Sequence, residues 1–593
     1  MKTVFTNGVF HTMEREGDVC GTIVVEDGVI VALDAPAGGR APLDVDADGL
    51  AGARVVDIGG RHVFPALIDS HLHLMDAVAL RAMGTPMCAL VDGRIEPHDL
   101  AGVRARVCDY AAGVPRGSLL AFTDYMPSVV DEGRFPTRRE LDEWSDGGLV
   151  WLMNMDGHSS SCSTALLEEA GLLGRVADDG VLRGADHDAN LGRLTECLSG
   201  HLTPGALARG IAGFCNECAS LGIGTVCALE GSDDIERDRI GELTALLAQR
   251  LPIDVRLYPQ YMDERKVAAV AGRMAVPRVG GCVKWELDGS VGSRTAAFDA
   301  PYDDGTVAGT YFGDEELERT VRSFAQRGFQ VTAHAIGEKA IDQLLGVYGR
   351  MAQEEARGAG EGAGAAGGDA GAGALGGDAG TANGAAGAGA FPDAGAPGAF
   401  PSAFVDDEFG HHLRHRIDHC EFPSATAVAK LGELRPFVTV QPGYAWFDKR
   451  YLHSYERHLA PEKRAQEIPL RTLARAGVPL LGSSDAPVQS IDPFAQMRGM
   501  CEAYDEAESL SPFEALRTYT ANGGAALGER KGLLREGFEA SFFAVERDLC
   551  ALRTHEFEGL RAEALYLRGR RYRPLPEDLR AFARLVATRP RTI

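Results

Sequence analysis

From residue 210 onward the chain repeats one pattern. A short run of apolar, often β-branched residues is followed by a longer stretch with apolar positions at helical spacing. The runs are GIGTVCAL (222–229), IDVRLYPQ (253–260), CVKWELDG (282–289), FQVTAHAIG (329–337), RIDHCEF (416–422), FVTVQPG (437–443) and PLLGSSDAP (479–487), and VFPALIDSHLH (63–73) precedes them. Stretches such as EELERTVRSFAQRG and EKAIDQLLGVYGRMAQEEA carry the 3.6-residue period between them. Eight strands alternating with helices predict an α/β chain, a (β/α)8 TIM barrel. Before it, residues 1–60 read as short β-strands around the turn Asp27-Gly28. After about 525 the pattern returns to strand-like pieces such as ASFFAVER.

Two stretches interrupt the rhythm. Residues 100–200, between the first two strands, are mixed and hard to order. Residues 358–400 hold 16 of the chain's 73 glycines and contain GGDAG twice. So few large apolar side chains cannot offset the entropy of ordering, so this stretch is expected to be a flexible surface insertion.

Composition narrows the function. Lys and Arg number 60 and Asp and Glu 85, a net charge of −25 over 593 residues. Such a surface repels phosphate backbones, so no nucleic-acid partner is expected. No apolar run approaches the length of a membrane span, and the first residues lack a signal-peptide core, so no membrane partner and a cytoplasmic location are expected. The twelve cysteines are scattered. The lone C-x-x-C, Cys215 to Cys218, sits in a helical pattern and reads as core thiols.

Candidate chemistry collects at the strand ends, where a barrel of this kind carries its site. Strand one ends in His71-Leu72-His73, strand four carries Lys284, strand five ends at His334, strand six at His419 and strand eight at Asp485. Residues i and i+2 of a strand face one side, so His71 and His73 can grip one ion. His334 and His419 can hold a second. Asp485 can bind the first ion and accept a proton from water. Lys284, if buried and deprotonated, can add carbon dioxide to form a carbamate that bridges two ions. Taken singly, each residue has a plainer reading: half-buried or hydrogen-bonded histidines, a helix-capping aspartate, a lysine reaching solvent. Their occurrence together, in strand order, is what points to a divalent-metal site, with zinc as the expected ion in one or two copies.

With those residues in place the chain resembles the amidohydrolase superfamily, in its family 3 branch with N-substituted formamide deformylase-like enzymes. The resemblance rests on FPALIDSHLHL (64–74), NMDGHSSSCSTALLEEAGL (154–172), VKWELDGSVGSRTAAFDAPYDD (283–304), TAHAIGEKAID (332–342), RIDHCEF and GSSDAPV (482–488). It implies a metal-dependent hydrolase of a non-peptide C–N bond, an amide or N-formyl group of a small molecule, acting through a metal-activated hydroxide. Carried over by motif, His71, His73, Lys284, His334, His419 and Asp485 form the metal site, with Asp485 and Lys284 catalytic. It also implies a small composite β-sandwich from both chain ends, about 1–60 and 526–593, around a barrel at 61–525. The insertion at 76–205 would set specificity, with His158, Arg294 and Asp288 facing the substrate. A deaminase or cyclic-amide hydrolase on the same barrel, or a scaffold that has lost turnover, are the rival readings. A small-molecule substrate is the expected partner, and a homodimer is compatible with this picture.

Overall fold

The computed structural model describes residues 2–34, 52–233, 238–365, 404–407 and 410–591. Eight strands stand where the apolar runs placed them: β1 (Leu67–Leu72), β2 (Ile223–Glu230), β3 (Asp254–Pro259), β4 (Arg278–Glu286), β5 (Gln330–Ala335), β6 (Arg416–His419), β7 (Phe437–Val440) and β8 (Leu480–Gly482). Every pairing among them is parallel. Both faces of a parallel strand are covered, which is why these runs are continuously apolar rather than alternating.

The ladders correct the expectation of one closed ring. The strands form a three-stranded sheet, ordered β3-β2-β1, and a five-stranded sheet, ordered β4-β5-β6-β7-β8. At both gaps a side chain takes a hydrogen bond that a ladder would use. Between β3 and β4, the Cys282 N–H donates to Gln260 Oε1 at 2.6 Å. There β4 leaves extended geometry, with φ of 109° at Gly280, 131° at Gly281 and 57° at Val283. A Cβ at Gly280 would lie 1.9 Å from the Thr332 carbonyl oxygen, so glycine is required at that approach. Between β8 and β1, the Ser484 N–H donates to Asp69 Oδ1 at 3.1 Å. Two backbone bonds just beyond the strands hold the same seam, Asp485 N–H to the His71 carbonyl at 2.9 Å and His73 N–H to the Ala486 carbonyl at 2.8 Å.

The helices cover the strands as their periodicity requires. Asp314–Ala325 buries Leu317, Val321 and Phe324, spaced on one face, and Phe324 meets Trp285 of β4. Pro204–Ser220 starts at the Thr203 cap with proline in its first turn and buries both Cys215 and Cys218. Helix Glu338–Ala365 continues into the glycine–alanine segment. The rest of that segment lies outside the described residues.

The two chain ends share strands. A six-stranded sheet takes Val9–His11, Val19–Cys20 and His62–Pro65 from one end and Phe542–Val545, Ala564–Leu567 and Arg570–Arg571 from the other. A four-stranded sheet, Lys2–Thr6, Ile23–Glu26, Val29–Leu33 and Arg54–Asp57, joins it through a common core in which Phe5 meets Phe542 edge-on at 5.0 Å. The segment after the first strand forms its own five-stranded sheet with separate apolar clusters. Its turn between Leu149–Asn154 and Ser159–Cys162 carries Asp156, Gly157 and His158.

A buried ionic knot ties the C-terminal residues to the start of β3. Asp254 receives Lys531, Arg568 at 2.5 Å and Arg591 at 3.2 Å, while Glu529 clamps Arg256 through two bonds. Burial alone would raise the Asp254 carboxyl, but Lys531, Arg568 and Arg256 reverse this and hold it well below the ordinary carboxylate range. Asp254→Asn is expected to cost about 3–5 kcal/mol, because it leaves buried cations uncompensated. Because the folded carboxyl titrates lower than the unfolded one, its contribution is complete above roughly pH 4 and is lost as pH falls further. Urea unfolding of both proteins between neutral and acid pH measures this, with a smaller acid sensitivity expected in the variant.

Candidate active site

Five strand ends converge on one buried cluster. His71 is fully buried, and its Nε2 lies 3.4 Å from Asp485 Oδ1. His73 Nε2 reaches the same oxygen at 3.5 Å. The His71 and His419 rings are 5.0 Å apart, and His334 continues the row 4.3 Å from His419. Two overlapping groups have donor atoms all within 4.8 Å of one another, His71 with His73 and Asp485, and His71 with Cys282 and His419. Backbone at positive φ delivers two of these residues, His419 at 71° and Asp485 at 58°. Such conformations persist where surrounding contacts over-determine them.

The supporting residues fix which nitrogens face inward. Asp418 Oδ2 lies 3.2 Å from His71 Nδ1, and its other oxygen accepts Arg416 at 2.7 Å. Gln441 Oε1 lies 2.9 Å from His419 Nδ1, and the Gln441 amide donates to Ser483. The Leu229 carbonyl lies 3.3 Å from His73 Nδ1. Nδ1 of His419 and of His73 is engaged by a hydrogen bond, and the Asp418 carboxylate faces Nδ1 of His71, which leaves each Nε2 for the cluster, the arrangement that orients metal-ligating histidines.

Electrostatics agree with a cation site. Burial opposes a charge on His71, yet Asp418, Cys282 and Asp485 hold its proton well above the ordinary histidine range. Burial would raise the Asp485 carboxyl, but His71 and His73 hold it well below. The Cys282 thiol is likewise held low against burial by His71, His419 and His73. Burial and the neighbouring His419 lower His334, which favours the neutral imidazole a metal needs. Both ring nitrogens of His334 and Nε2 of His419 are buried without a hydrogen-bond partner. Buried polar atoms are rarely left so, and a divalent ion would satisfy them. The donor set therefore fits a divalent metal.

The remaining predicted residues fall in different places. His158 lines the cavity beside the cluster and meets the His334 ring at 5.3 Å. Asp156 beside it accepts Ser290 at 2.9 Å and Ser293 at 2.7 Å, docking the inserted sheet on the loop after β4. Arg294 of that loop lies half-exposed, 3.3 Å from Asp304. Asp288 was expected to face the substrate. It is fully buried, and its oxygens accept the N–H groups of Ala297, Ile336 and Gly337 at 2.7–2.9 Å. It positions the strand-five loop. Lys284 is half-buried, and the group that β4 sets against the histidines is Cys282, with Sγ 3.6 Å from His71 Nε2. Cys282, Asp418, Gln441 and the cavity residues Glu421, Tyr444 and Tyr455 were not singled out as site residues by the sequence. Burial pushes the Glu421 carboxyl up to about 7.

Comparisons with known proteins agree with this geometry. The amidohydrolase family model matches residues 54–374 and 385–572. The chain is 21% identical to putative amidohydrolase YtcJ of Bacillus subtilis, over 93% of this chain and 96% of that one. A shorter match, 28% identical over 28% of each chain, is to N-substituted formamide deformylase of Arthrobacter pascens. An uncharacterized metal-dependent hydrolase from Pyrococcus horikoshii shares the fold, with a TM-score of 0.65 at 17% identity over 94% of this chain and 99% of that one. These neighbours imply a TIM-barrel-like metal-hydrolase fold, and the family implies a divalent metal and hydrolysis at C–N bonds. With the family model covering most of its length, this chain belongs to the amidohydrolase family.

Proposed function

We propose that this protein hydrolyses an amide or N-formyl bond of a small molecule, releasing a carboxylic acid and an amine. The carrying observation is the convergence of His71, His73, Cys282, His334, His419 and Asp485 at the ends of five strands, with buried ring nitrogens that lack partners. The deformylase name of one relative supports the choice of bond.

His71, His73 and Asp485 would hold one divalent ion, and His334 and His419 would complete a second position. Zinc is the expected ion, and Lys284 as a carbamate or Cys282 as a thiolate would bridge from β4. When bound, the ion supplies Lewis acidity toward the carbonyl and makes water nucleophilic at neutral pH. Asp485 is ionised at neutral pH, so it takes a proton from the attacking water and passes it to the leaving nitrogen. Asp418 and Gln441 hold His71 and His419 in the required tautomers. His158, Tyr444 and Tyr455 wall the cavity in which the acyl group sits, and they select among substrates.

Asp485→Asn is expected to lower turnover of N-formyl amines by about 10²–10⁴-fold while leaving part of the metal bound. Assays beside elemental analysis of the purified protein check both, and full activity in the variant would overturn the proton-transfer role. The two candidate bridges separate in a second comparison. With a carbamate bridge, Lys284→Ala loses activity that short carboxylic acids partly restore. With a thiolate ligand, Cys282→Ser weakens metal binding by at least ~10-fold and no acid restores it. Metal titration and rescue assays on the two variants read the difference.

A further inference from the structure

A second group of metal-ligand side chains lies where the two chain ends meet, separate from the cluster above. His11 comes from the strand Val9–His11, His62 from the paired strand His62–Pro65, and Asp548 and Cys550 from the segment that follows Phe542–Val545. His62 precedes His71 by nine positions and stands in a different sheet, and His11, Asp548 and Cys550 belong to none of the donor groups built on His71. The catalytic cluster therefore does not account for these residues.

Their geometry is that of a small coordination sphere. His11 Nε2 is 3.0 Å from His62 Nδ1 and 3.7 Å from Asp548 Oδ1. The donor atoms of His11, Asp548 and Cys550 all lie within 4.8 Å of one another. Tetrahedral zinc, with bonds of ~2.0–2.3 Å, sets its donors ~3.3–3.6 Å apart, a separation close to the His11–Asp548 distance. His11 is 6% exposed and lies flat on Phe64, with ring centroids 4.2 Å apart, so its imidazole is fixed in place. Asp548 Oδ1 also accepts the Cys550 N–H at 2.9 Å, which holds the carboxylate and the cysteine on one short turn.

We propose that His11, Asp548 and Cys550 form a zinc site that clamps the two ends of the chain together, with His62 holding His11. An imidazole, a carboxylate and a thiolate are a donor set for zinc rather than for calcium or magnesium. Binding forms a zinc–sulfur bond as the Cys550 thiol proton leaves to water, with no change of oxidation state. The clamp joins positions more than 500 residues apart, so it restrains the unfolded chain as well as the folded one.

The test uses the full-length protein, loaded with zinc, dialysed against a weak chelator, and compared with Cys550→Ser and with Asp548→Ala. Asp548 is partly exposed, so its variant keeps the comparison open if the cysteine variant folds poorly. Elemental analysis is expected to show one zinc fewer per chain in each variant than in the parent. Thermal unfolding is expected to show a zinc-dependent rise in Tm in the parent that is lost in both. With cobalt in place of zinc, Cys550→Ser should lose part of the thiolate-to-metal absorption, whereas Cys282→Ser reports on the other cluster. Equal zinc content and an equal response of Tm to zinc in all three folded proteins would overturn the clamp and leave a hydrogen-bonded histidine pair.

Discussion

Crowding several imidazoles, a thiol and a carboxylate into one nearly dry volume is the constraint around which the rest of this molecule is arranged. Unpaired buried nitrogens are costly, and so are unpaired buried charges. The chain meets the first cost with a donor set that a divalent ion would satisfy. It meets the second with a layer beneath, in which Arg416 holds Asp418 and Asp418 faces His71. Those two residues sit on β6 with His419, so one four-residue strand supplies a candidate ligand, the carboxylate that faces a second candidate, His71, and the counter-charge for that carboxylate. Substitution at any of them would disturb the others.

The same constraint explains irregularities that would be faults elsewhere. Gly280 and Gly281 let β4 run against Thr332 and Leu229, and the following turn of backbone at Val283 aims Cys282 at the histidines. Positive φ sends the side chains inward at His419, the last residue of β6, and at Asp485, three residues past the end of β8. The hydrogen bonds forfeited by the ladders at both seams are recovered by Gln260 and Asp69 side chains.

Much of this was legible in the sequence. The eight apolar runs became the eight strands because strands covered on both faces need little beyond apolar continuity. His71, His73, His334, His419 and Asp485 were legible because their spacing and order are properties of the chain itself. Cys282 was not, because alternation assigns residues 282 and 284 to one face, and a β-branched valine is the last residue from which a left-handed backbone would be anticipated. The backbone contacts of Asp288 were hidden for a related reason. Its three N–H donors come from residues 9, 48 and 49 positions away, and nothing local announces them. The two-sheet pairing was equally hidden, since it depends on which side chain wins a particular backbone N–H.

The seam between β8 and β1 has a consequence for biosynthesis. His71 and His73 leave the ribosome more than 400 residues before Asp485, and His419 also comes late. A nascent chain halted near residue 400 holds His71, His73, Cys282 and His334 but lacks the carboxylate and the sixth-strand histidine. The full donor set is thus a property of the finished polypeptide alone, and a cation that lodged earlier would meet an incomplete set of partners.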